Sequence, residues 1–146
     1  MTKVKYDPNS PVPKSTQWAR ANKEVVRQRD LKRKGTLTGK LTNLVTQSKY
    51  RAKTSGKSHN INTDYLRGLY EGQEGRCAIS GIEMSIRGTQ HSSDYWYSIS
   101  IDRIDSTKGY VKGNVQLTCT GINRMKCTMT DEQFIEICKC VAERFK

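Results

Sequence analysis

The stretch of the chain that decides the fold is Ser98–Lys126, with the sequence SISIDRIDSTKGYVKGNVQLTCTGINRMK. Tyr95–Asp102 leads into it, is rich in β-branched and aromatic residues, and predicts a strand that ends at the aspartate. Asn114–Thr118 alternates apolar and polar residues and predicts a second strand, after which Gly121 or Asn123 opens a turn of helix. The predicted order is strand, turn, strand and helix, with an aspartate and an asparagine at its two ends.

These two ends carry hard oxygen donors. The carboxylate of Asp102 and the amide of Asn123 suit one Mg²⁺ or Mn²⁺ ion, with water and phosphate completing its shell. Hydrolysis of a phosphodiester needs such a metal, a base that activates water and a cation that stabilises the developing charge. Arg124 and Lys126 follow one turn along, where they are expected to reach phosphate. The stretch therefore predicts a nuclease with one divalent ion per active site.

The charge of the chain is concentrated in its first part. The net charge is +12, and residues 1–60 hold 15 Lys and Arg against 3 Asp and Glu, whereas residues 61–146 hold 11 of each. Such asymmetry favours a polyanion as partner, because neutralised phosphates release counterions; the alternative is a solvated basic tail or face. The residues expected to contact DNA are Arg27, Arg29, Lys32, Arg33, Lys34, Lys49, Arg51, Lys53, Arg124 and Lys126.

The basic part is expected to consist of a leader and two helices. Residues 1–15 contain all three prolines and predict an extended or disordered segment. Residues 16–34 predict one helix with a thin apolar stripe, and Gly35 and Gly39 are expected to break it. Residues 41–54 predict a second helix. We expect residues 1–45 to form a basic, partly disordered or helical extension that contacts DNA, and residues 46–146 to form the nuclease domain.

Two further helices have clear start signals. Asn62 is the expected N-cap of a helix over NTDYLRGLYEGQ, and Thr130 with Gln133 forms a capping box for the last helix. The expected packing face of the last helix consists of Phe134, Ile137, Cys138, Val141 and Phe145.

Composition also limits the cellular setting. No run of 18 apolar residues is present, the first residues lack a secretory apolar region, and the five cysteines are odd in number and unevenly spaced. We therefore expect no membrane partner, no secreted disulfide scaffold and a cytoplasmic location.

The motifs of the second half resemble the ββα-metal core of the HNH (His-Me finger) endonucleases, particularly small phage proteins of that family. The similarity covers about residues 47–145 and is most specific over 99–127. It is carried by Asp102-Arg103-Ile104-Asp105, Lys108-Gly109-Tyr110, Gly113-Asn114-Val115, Cys119 and Asn123-Arg124-Met125-Lys126. It implies an α+β fold whose core enters the minor groove, Asp102 and Asn123 as metal ligands, and Asn114 as the residue that shapes the loop.

The chain departs from the family at the general base. Most members carry a histidine directly after the aspartate, and Arg103 stands there in this chain. A guanidinium stays protonated and cannot take a proton from water, although it can grip a phosphate through two hydrogen bonds. A rare-cutting restriction endonuclease of the family has the same Asp-Arg pair, with a His and a Tyr ahead of its core, and His59 and Tyr70 stand in comparable places. We expect His59 to be the base or a proton relay, with Tyr70 as a weaker candidate and His91 in reserve.

A second departure concerns zinc. Many relatives bind structural zinc through paired CxxC knuckles, and the matching positions here are Cys77 with Ser80 and Cys119 with Ile122. Because zinc takes four Cys or His ligands, we expect no zinc and two small buried thiols that face each other. Cys127 or His91 as a compensating ligand is the alternative.

Two other functions compete with a nuclease. An HNH-like protein that has lost its base would bind or inhibit DNA without cutting it, and a ribosomal or RNA-binding protein would explain the charge but not Asp102, Asn114 and Asn123. The resemblance to phage proteins suggests a phage origin and the cytoplasm of a bacterial host. Whether the substrate is double-stranded or branched DNA, and whether the protein acts as a dimer, stays open.

Overall fold

The computed structural model describes residues 7–87 and 91–146, and the side chains of Asp30, Leu31, Arg33 and Lys34 lie outside the description. The fold is α+β, as predicted, with a two-stranded sheet among helices. The helices are α1 Lys14–Ala21, α2 Lys23–Lys34, α3 Leu37–Thr54, α4 Thr63–Gly72, α5 Thr120–Lys126 and α6 Asp131–Arg144, the strands are β1 Ile99–Arg103 and β2 Val115–Cys119, and Ser93–Tyr97 forms a 3₁₀ helix. Among the described residues, no helix has both the length and the apolar composition that crossing a lipid bilayer requires.

The antiparallel hairpin of β1 and β2 forms the centre of the core. Its register pairs Ile99 with Cys119 and Arg103 with Val115, and α5 begins directly after β2. Helix α3 packs against β1 and α4 against β2. The apolar side chains buried among these elements include Leu41, Leu66, Met84, Ile99, Ile101 and Leu117. The strand, turn, strand and helix order predicted for residues 98–126 is present.

The basic N-terminal part is helical in a different arrangement from the predicted one. The single helix predicted over residues 16–34 is two helices, because Asn22 leaves the helical conformation and its side-chain Nδ2 donates to Trp18 O over 3.0 Å. Helix α3 begins at Leu37, four residues earlier than predicted. The Thr36 side chain caps it by accepting from Gly39 N at 3.1 Å. Gly39, predicted with Gly35 to break the preceding helix, thus lies inside the first turn of α3.

The domain boundary expected between residues 45 and 46 falls inside α3, and residues on both of its sides belong to the core. Leu41 and Ala52 are fully or almost fully buried in the same apolar cluster. Helix α3 is therefore continuous from the basic part into the part that carries the sheet, while α1 and α2 precede it.

The aromatic residues that precede β1 do not form a strand. Tyr95, Trp96 and Tyr97 lie in the 3₁₀ helix, where the Tyr95 and Ser98 N–H groups donate to Ser92 O and Tyr95 O at 3.1 Å. Trp96 is 54% and Tyr97 50% exposed, so neither supplies the buried alternate positions that a strand would need. The prediction of a strand from Tyr95 is wrong for these residues, and β1 begins at Ile99.

The predicted helix starts are confirmed, but the packing face of α6 is not. Asn62 Oδ1 accepts from Tyr65 N at 2.8 Å, and both bonds of the Thr130 capping box are present. Of the predicted face only Phe134 is buried, whereas Ile137, Cys138, Val141 and Phe145 are exposed. Within the described part of the chain, no helix or strand makes extensive contact with the later turns of α6, so the apolar pattern there has no partner.

Cys77 and Cys119 are both buried, at 2% exposure each. Burial raises the pKa of the Cys119 thiol to about 12, and the neighbouring Cys77 adds to this shift. Burial also acts to raise the pKa of Cys77, but hydrogen bonds from the Ser80 side chain and from backbone N–H groups outweigh it and lower that pKa. The Cys77 thiol, at the start of the turn formed by residues 77–81, thus interacts with the Cys119 thiol at the end of β2.

Candidate active site

A small cavity of about 80 Å³ lies between β1, α3 and α5. Asp102 reaches it from the end of β1, and Asn123 reaches it from α5. The structure therefore brings the two predicted metal ligands to one cavity. The residues that line it are Arg51, Ile101, Asp102, Arg103, Ser106, Tyr110, Asn123 and Cys127.

Asp102 is almost fully buried, at 3% exposure, and one of its oxygens is fixed by two donors. Gln116 lies directly opposite it in the hairpin register, where paired side chains share a face of the sheet. Gln116 Nε2 and Lys126 Nζ each lie 3.0 Å from Asp102 Oδ2. Among the described residues, Oδ1 has no protein donor, so this oxygen of the carboxylate remains available to a ligand in the cavity.

The side-chain amide of Asn123 is likewise held by hydrogen bonds to the protein. Its Nδ2 donates to Ser100 Oγ at 2.7 Å and to the carbonyl oxygen of Ile101 at 2.9 Å, which uses both amide protons. Within the described part of the chain its Oδ1 accepts no hydrogen bond, and this is the atom that can bind a cation. One carboxylate oxygen and one amide oxygen are thus left for a hard metal ion.

Lys126 supports the site from inside the protein. Its side chain has 0% exposure, and its ammonium lies 3.0 Å from Asp102 Oδ2, 3.3 Å from Asp131 Oδ1 and 3.2 Å from Arg103 O. A lysine held in this way cannot reach a DNA backbone. The structure therefore corrects the prediction that Lys126 contacts DNA: it neutralises two carboxylates and orients Asp102.

Two residues of this network were missed by sequence analysis. Gln116 Nε2 also donates to Asp131 Oδ2 at 2.8 Å, so that Gln116 and Lys126 together join Asp102 to the first turn of α6. The position of Gln116 opposite Asp102 could have been found from the hairpin register. The contribution of Asp131 could not, because it depends on how α6 returns to the sheet.

Arg103 and Tyr110 form one wall of the cavity. The guanidinium of Arg103 lies 5.2 Å from the centre of the Tyr110 ring, and its Nη1 donates to Lys108 O at 3.0 Å. The other guanidinium N–H groups have no acceptor among the described residues. Tyr110 is 7% exposed, and its hydroxyl likewise has no protein partner there. In the sequence Tyr110 is part of the Lys108-Gly109-Tyr110 motif, and nothing in that motif indicates a role at the cavity.

Asn114 shapes the loop between the strands. Its Nδ2 donates to Asp105 O at 3.1 Å and to Gly109 O at 3.0 Å, and its Oδ1 accepts from Asp105 N at 3.0 Å. Thr107 donates to Asp105 Oδ1 from both its hydroxyl and its backbone N–H, and with Lys108 these bonds lower the pKa of Asp105 to about 2. These contacts fix the loop that carries Tyr110.

His59 lies next to this wall and is not among the residues that line the cavity. Its Nε2 is 2.9 Å from Ser48 Oγ, and its ring centre is 6.3 Å from that of Tyr110, with which it also pairs through the backbone. Burial lowers the pKa of His59, and the positive charge of Lys49 lowers it further, against a smaller opposing effect of its own backbone carbonyl. The ring is therefore neutral near pH 7.

The other two candidates for the base lie elsewhere. Tyr70 sits at the end of α4, where its hydroxyl packs against the turn at Gly75, and His91 is exposed ahead of the 3₁₀ helix. Neither lines the cavity of Asp102 and Asn123.

The predicted DNA-contacting residues of α2 and α3 are exposed wherever their side chains are described. Arg27 and Arg29 on α2 and Lys49, Arg51 and Lys53 on α3 are exposed, as is Lys32, and Arg51 also reaches the cavity. The side chains of Arg33 and Lys34 lie outside the described residues.

Arg124 lies on α5 and packs on two aromatic rings. Its guanidinium is 5.5 Å from the Tyr95 ring centre and 5.8 Å from that of Trp96. Arg124 and Trp96 are both exposed, which places a cation beside an aromatic ring at the surface.

The donor set fits a metal that keeps much of its own water. Nowhere in the described ranges do three or more His, Cys, Asp or Glu side chains gather as a metal cluster. Two protein oxygens are too few for a closed structural zinc site, but Mg²⁺ commonly binds through one or two protein oxygens together with water and phosphate. The cavity is therefore compatible with Mg²⁺ or Mn²⁺ in the presence of a phosphate ligand.

Comparisons with known proteins yield one similar structure. No model of a protein family matches the chain, and no curated protein matches it. Among solved structures it is similar to the rare-cutting HNH restriction endonuclease PacI, which is described as exhibiting an extraordinary mechanism of DNA perturbation. The identity is 20% and the TM-score 0.49, over 75% of this chain and 78% of that one. A likeness at this level assigns no activity to the chain.

Proposed function

We propose that this protein is a divalent-metal-dependent DNA endonuclease of the HNH type, which hydrolyses phosphodiester bonds by nicking or by cutting both strands. The observation that carries the proposal is the cavity to which Asp102 and Asn123 each present one oxygen without a protein partner among the described residues. The charge of the first 60 residues supports a nucleic acid as substrate. A phage origin, with action in the cytoplasm of a host, belongs to the same proposal through the resemblance of the motifs.

The metal would be held by Asp102 and Asn123. Bound there, Mg²⁺ or Mn²⁺ would supply Lewis-acid polarisation of the phosphate. The chain itself fixes the geometry, since Lys126 and Gln116 hold one oxygen of Asp102 while Ser100 and the Ile101 carbonyl hold the amide of Asn123. Both donors are thus oriented before any ligand arrives, which lowers the reorganisation that the reaction needs.

Two arginines are placed to bind the phosphate. Arg103 and Arg51 line the cavity beside Asp102, and a guanidinium binds phosphate oxygens through paired hydrogen bonds. Stacking on Tyr110 holds Arg103 at this wall. The arginines fix the scissile group and offset its charge, but neither accepts a proton.

His59 is the proposed proton acceptor. It is the imidazole that contacts a cavity residue, Tyr110, and its lowered pKa keeps it unprotonated near pH 7. Tyr110 lines the cavity, and its hydroxyl, which has no protein partner among the described residues, is a candidate for positioning water. Tyr70 and His91 are the alternatives, and both lie away from the cavity.

A second candidate function is a DNA-binding or inhibitory protein of the same fold that does not cleave. Two observations favour it: Arg103 stands where a base is usual in the family, and His59 does not line the cavity. Such a protein would retain the basic surface and the hairpin without turnover.

A plasmid-nicking assay separates the two. The purified protein is incubated with supercoiled plasmid in Mg²⁺, Mn²⁺ or EDTA, alongside Asp102→Asn and Asn123→Ala. We expect nicking with either metal, none in EDTA, and a loss of about 10²-fold or more in both variants. Asp64→Asn, which changes an exposed carboxylate on α4, is the matched control and should keep full activity.

Binding to the same plasmid, measured by gel shift in EDTA, completes the test. Binding by the wild type without nicking in any metal would support the second candidate. Cleavage that persists in EDTA, or that survives both site variants when their folding is verified by circular dichroism, would contradict the proposed metal site.

A further inference from the structure

A larger groove of about 470 Å³ opens directly beside the candidate active site, between α3, the 3₁₀ helix and α5. Its volume falls within the roughly 300–1,000 Å³ of typical small-ligand sites. The lining includes Lys40, Asn43, Gln47, Arg51, Tyr95 and Arg124, and no lining residue is acidic. We propose that this groove receives one unpaired nucleotide of the DNA, next to the phosphate held at Asp102 and Asn123; this inference rests on the proposed nuclease function.

The groove and the cavity share two walls. Arg51 and Asn123 line both of them. A DNA strand whose phosphate lies between Arg51 and Asn123 therefore has its neighbouring nucleotide at the mouth of the groove. The continuity makes the groove an extension of the active site along the strand rather than a separate site.

The chemistry of one wall matches the edge of a base. Asn43 and Gln47 are four residues apart on α3, so their side chains share a face of the helix and both line the groove. Each amide carries donors and an acceptor, and among the described residues neither forms a hydrogen bond with the protein. A paired base has no free Watson–Crick edge to offer these amides, whereas an unpaired base does. The wall therefore favours an unpaired nucleotide.

Another part of the lining offers a surface for stacking. Arg124 and Tyr95 line the groove, and the guanidinium of Arg124 lies over the rings of both Tyr95 and Trp96, whose centres are 5.3 Å apart. Trp96 adjoins this lining without being part of it and is 54% exposed. Aromatic rings and guanidinium planes are the usual stacking partners of unpaired bases. Gly121 permits this arrangement, because a Cβ there would lie 3.3 Å from Trp96 O, and so α5 can approach the 3₁₀ helix closely.

The charge of the groove suits the phosphate of the same nucleotide. Lys40, Arg51 and Arg124 contribute three cations, and half-burial of Lys40 lowers its pKa, so an anion beside it would favour its charged form. A single nucleotide would use all three features. The edge of its base would bond to the amides, the face of its base would stack on the rings, and its phosphate would lie near the cations.

The test compares two DNA hairpins of the same stem sequence, one fully paired and one with a single-nucleotide bulge. Their dissociation constants are measured by fluorescence anisotropy in EDTA, so that cleavage does not interfere. We expect the wild type to bind the bulged hairpin about tenfold more tightly, as one or two additional hydrogen bonds provide. The double variant Asn43→Ala/Gln47→Ala should lose this preference, whereas Thr46→Ala, an exposed position on the same helix, should keep it.

Equal affinity of the wild type for the two hairpins, or an unchanged preference in the double variant, would overturn the inference. Plasmid nicking in Mg²⁺ is followed in parallel. Nicking without a bulge preference would overturn the groove inference and leave the nuclease standing. A bulge preference that depends on Asn43 and Gln47, without nicking in any metal, would support the groove and overturn the proposed nuclease function.

Discussion

Asp102 and Asn123 are useful as ligands because their other polar atoms are already occupied. Lys126 and Gln116 hold one oxygen of the aspartate, and both protons of the Asn123 amide are donated to the protein. Burial of Lys126 is unfavourable by itself, because a fully buried ammonium is stable only when it is paired with an opposite charge. At the scale of single residues, the site thus depends on a buried ion pair.

Removal of this ammonium should destabilise the fold. We expect Lys126→Met to lower the free energy of unfolding by about 3–5 kcal/mol, because it leaves the carboxylate of Asp102 buried without its partner. Lys108→Met is the matched control: its ion pair with Asp105, at 3.1 Å, is exposed to solvent, so its loss should change the free energy of unfolding little. Urea denaturation measures both. Equal losses in the two variants would contradict the structural role of Lys126.

The role of His59 can be read from the dependence of cleavage on pH. Its pKa is lowered below the usual 6.5, and a base acts only when it is unprotonated, so the rate should rise with pH on the acid side of 6.5 and level off by neutrality. Lys49→Gln removes a positive charge, raises the pKa of His59 and should move this rise to higher pH. His59→Ala should lower the rate by about 10²–10⁴-fold and abolish the rise. A retained rise in His59→Ala would assign the base to another residue.

Residue type and position were enough to predict that Asp102 and Asn123 lie together, because both follow from a local strand, turn and helix pattern. The burial of Lys126 could not be predicted in this way. It depends on Asp131, which comes from the next helix, and a lysine on a short basic helix is ordinarily exposed. Tyr110 was missed for the same reason, since only the folded loop places it at the cavity.

The loop between β1 and β2 is the element that connects the site to the rest of the core. Its Tyr110 exchanges backbone hydrogen bonds with the segment at Ser58–Asn60, through Tyr110 N to Ser58 O at 3.0 Å and Asn60 N to Tyr110 O at 3.1 Å. Gly109 allows this approach, because a Cβ there would collide with Ser58 O. The loop therefore holds Tyr110 and His59 side by side.

A methyl group at this position should disturb the loop. We expect Gly109→Ala to destabilise the protein by about 1–3 kcal/mol or more, since backbone has to move to relieve the collision. Gly68→Ala is the matched control, because Gly68 lies inside α4 with no atom near a new Cβ, and it should stabilise by about 0.5–1 kcal/mol. Thermal denaturation should show a lower melting temperature for Gly109→Ala and a higher one for Gly68→Ala. A stable Gly109→Ala variant would contradict the close packing of the loop on Ser58.

Helix starts that depend on neighbouring residues were predicted correctly. Structural features that depend on which side chains become buried were not. The caps at Asn62 and Thr130 lie within a few residues of the helices they begin, so the sequence contains the whole interaction. The aromatic residues 95–97 have strand propensity but lie in an exposed 3₁₀ helix. The apolar face of α6 was predicted to pack, and outside Phe134 it stays exposed.

The molecule as a whole carries its excess charge in its first 60 residues. Helix α3 passes from this basic part into the core and brings Arg51 to the cavity, so the charged surface and the candidate active site are continuous. If the basic helices hold DNA, the affinity should fall steeply with salt, with a slope set by the number of phosphates that they neutralise.

Neutralisation of three cations on α2 tests this arrangement. We expect the triple variant Arg27→Gln, Arg29→Gln, Lys32→Gln to reduce the slope of log Kd against log salt by about 0.9 for each phosphate that the protein no longer neutralises, hence by about 2–3. The control triple variant Lys139→Gln, Arg144→Gln, Lys146→Gln removes the same charge from the region of α6 and should change the slope little. Kd is measured between about 50 and 200 mM salt. Equal slopes in the two triple variants would show that only net charge matters.

The most direct test of the central claim is the position of the metal. A crystal of the protein with duplex DNA, grown in Mn²⁺, is measured at a wavelength where manganese scatters anomalously. We expect one anomalous peak between Asp102 Oδ1 and Asn123 Oδ1, at about 2.0–2.2 Å from each oxygen, as for a small hard divalent ion. A peak bound to other residues, or bound DNA with no peak at Asp102 and Asn123, would contradict it.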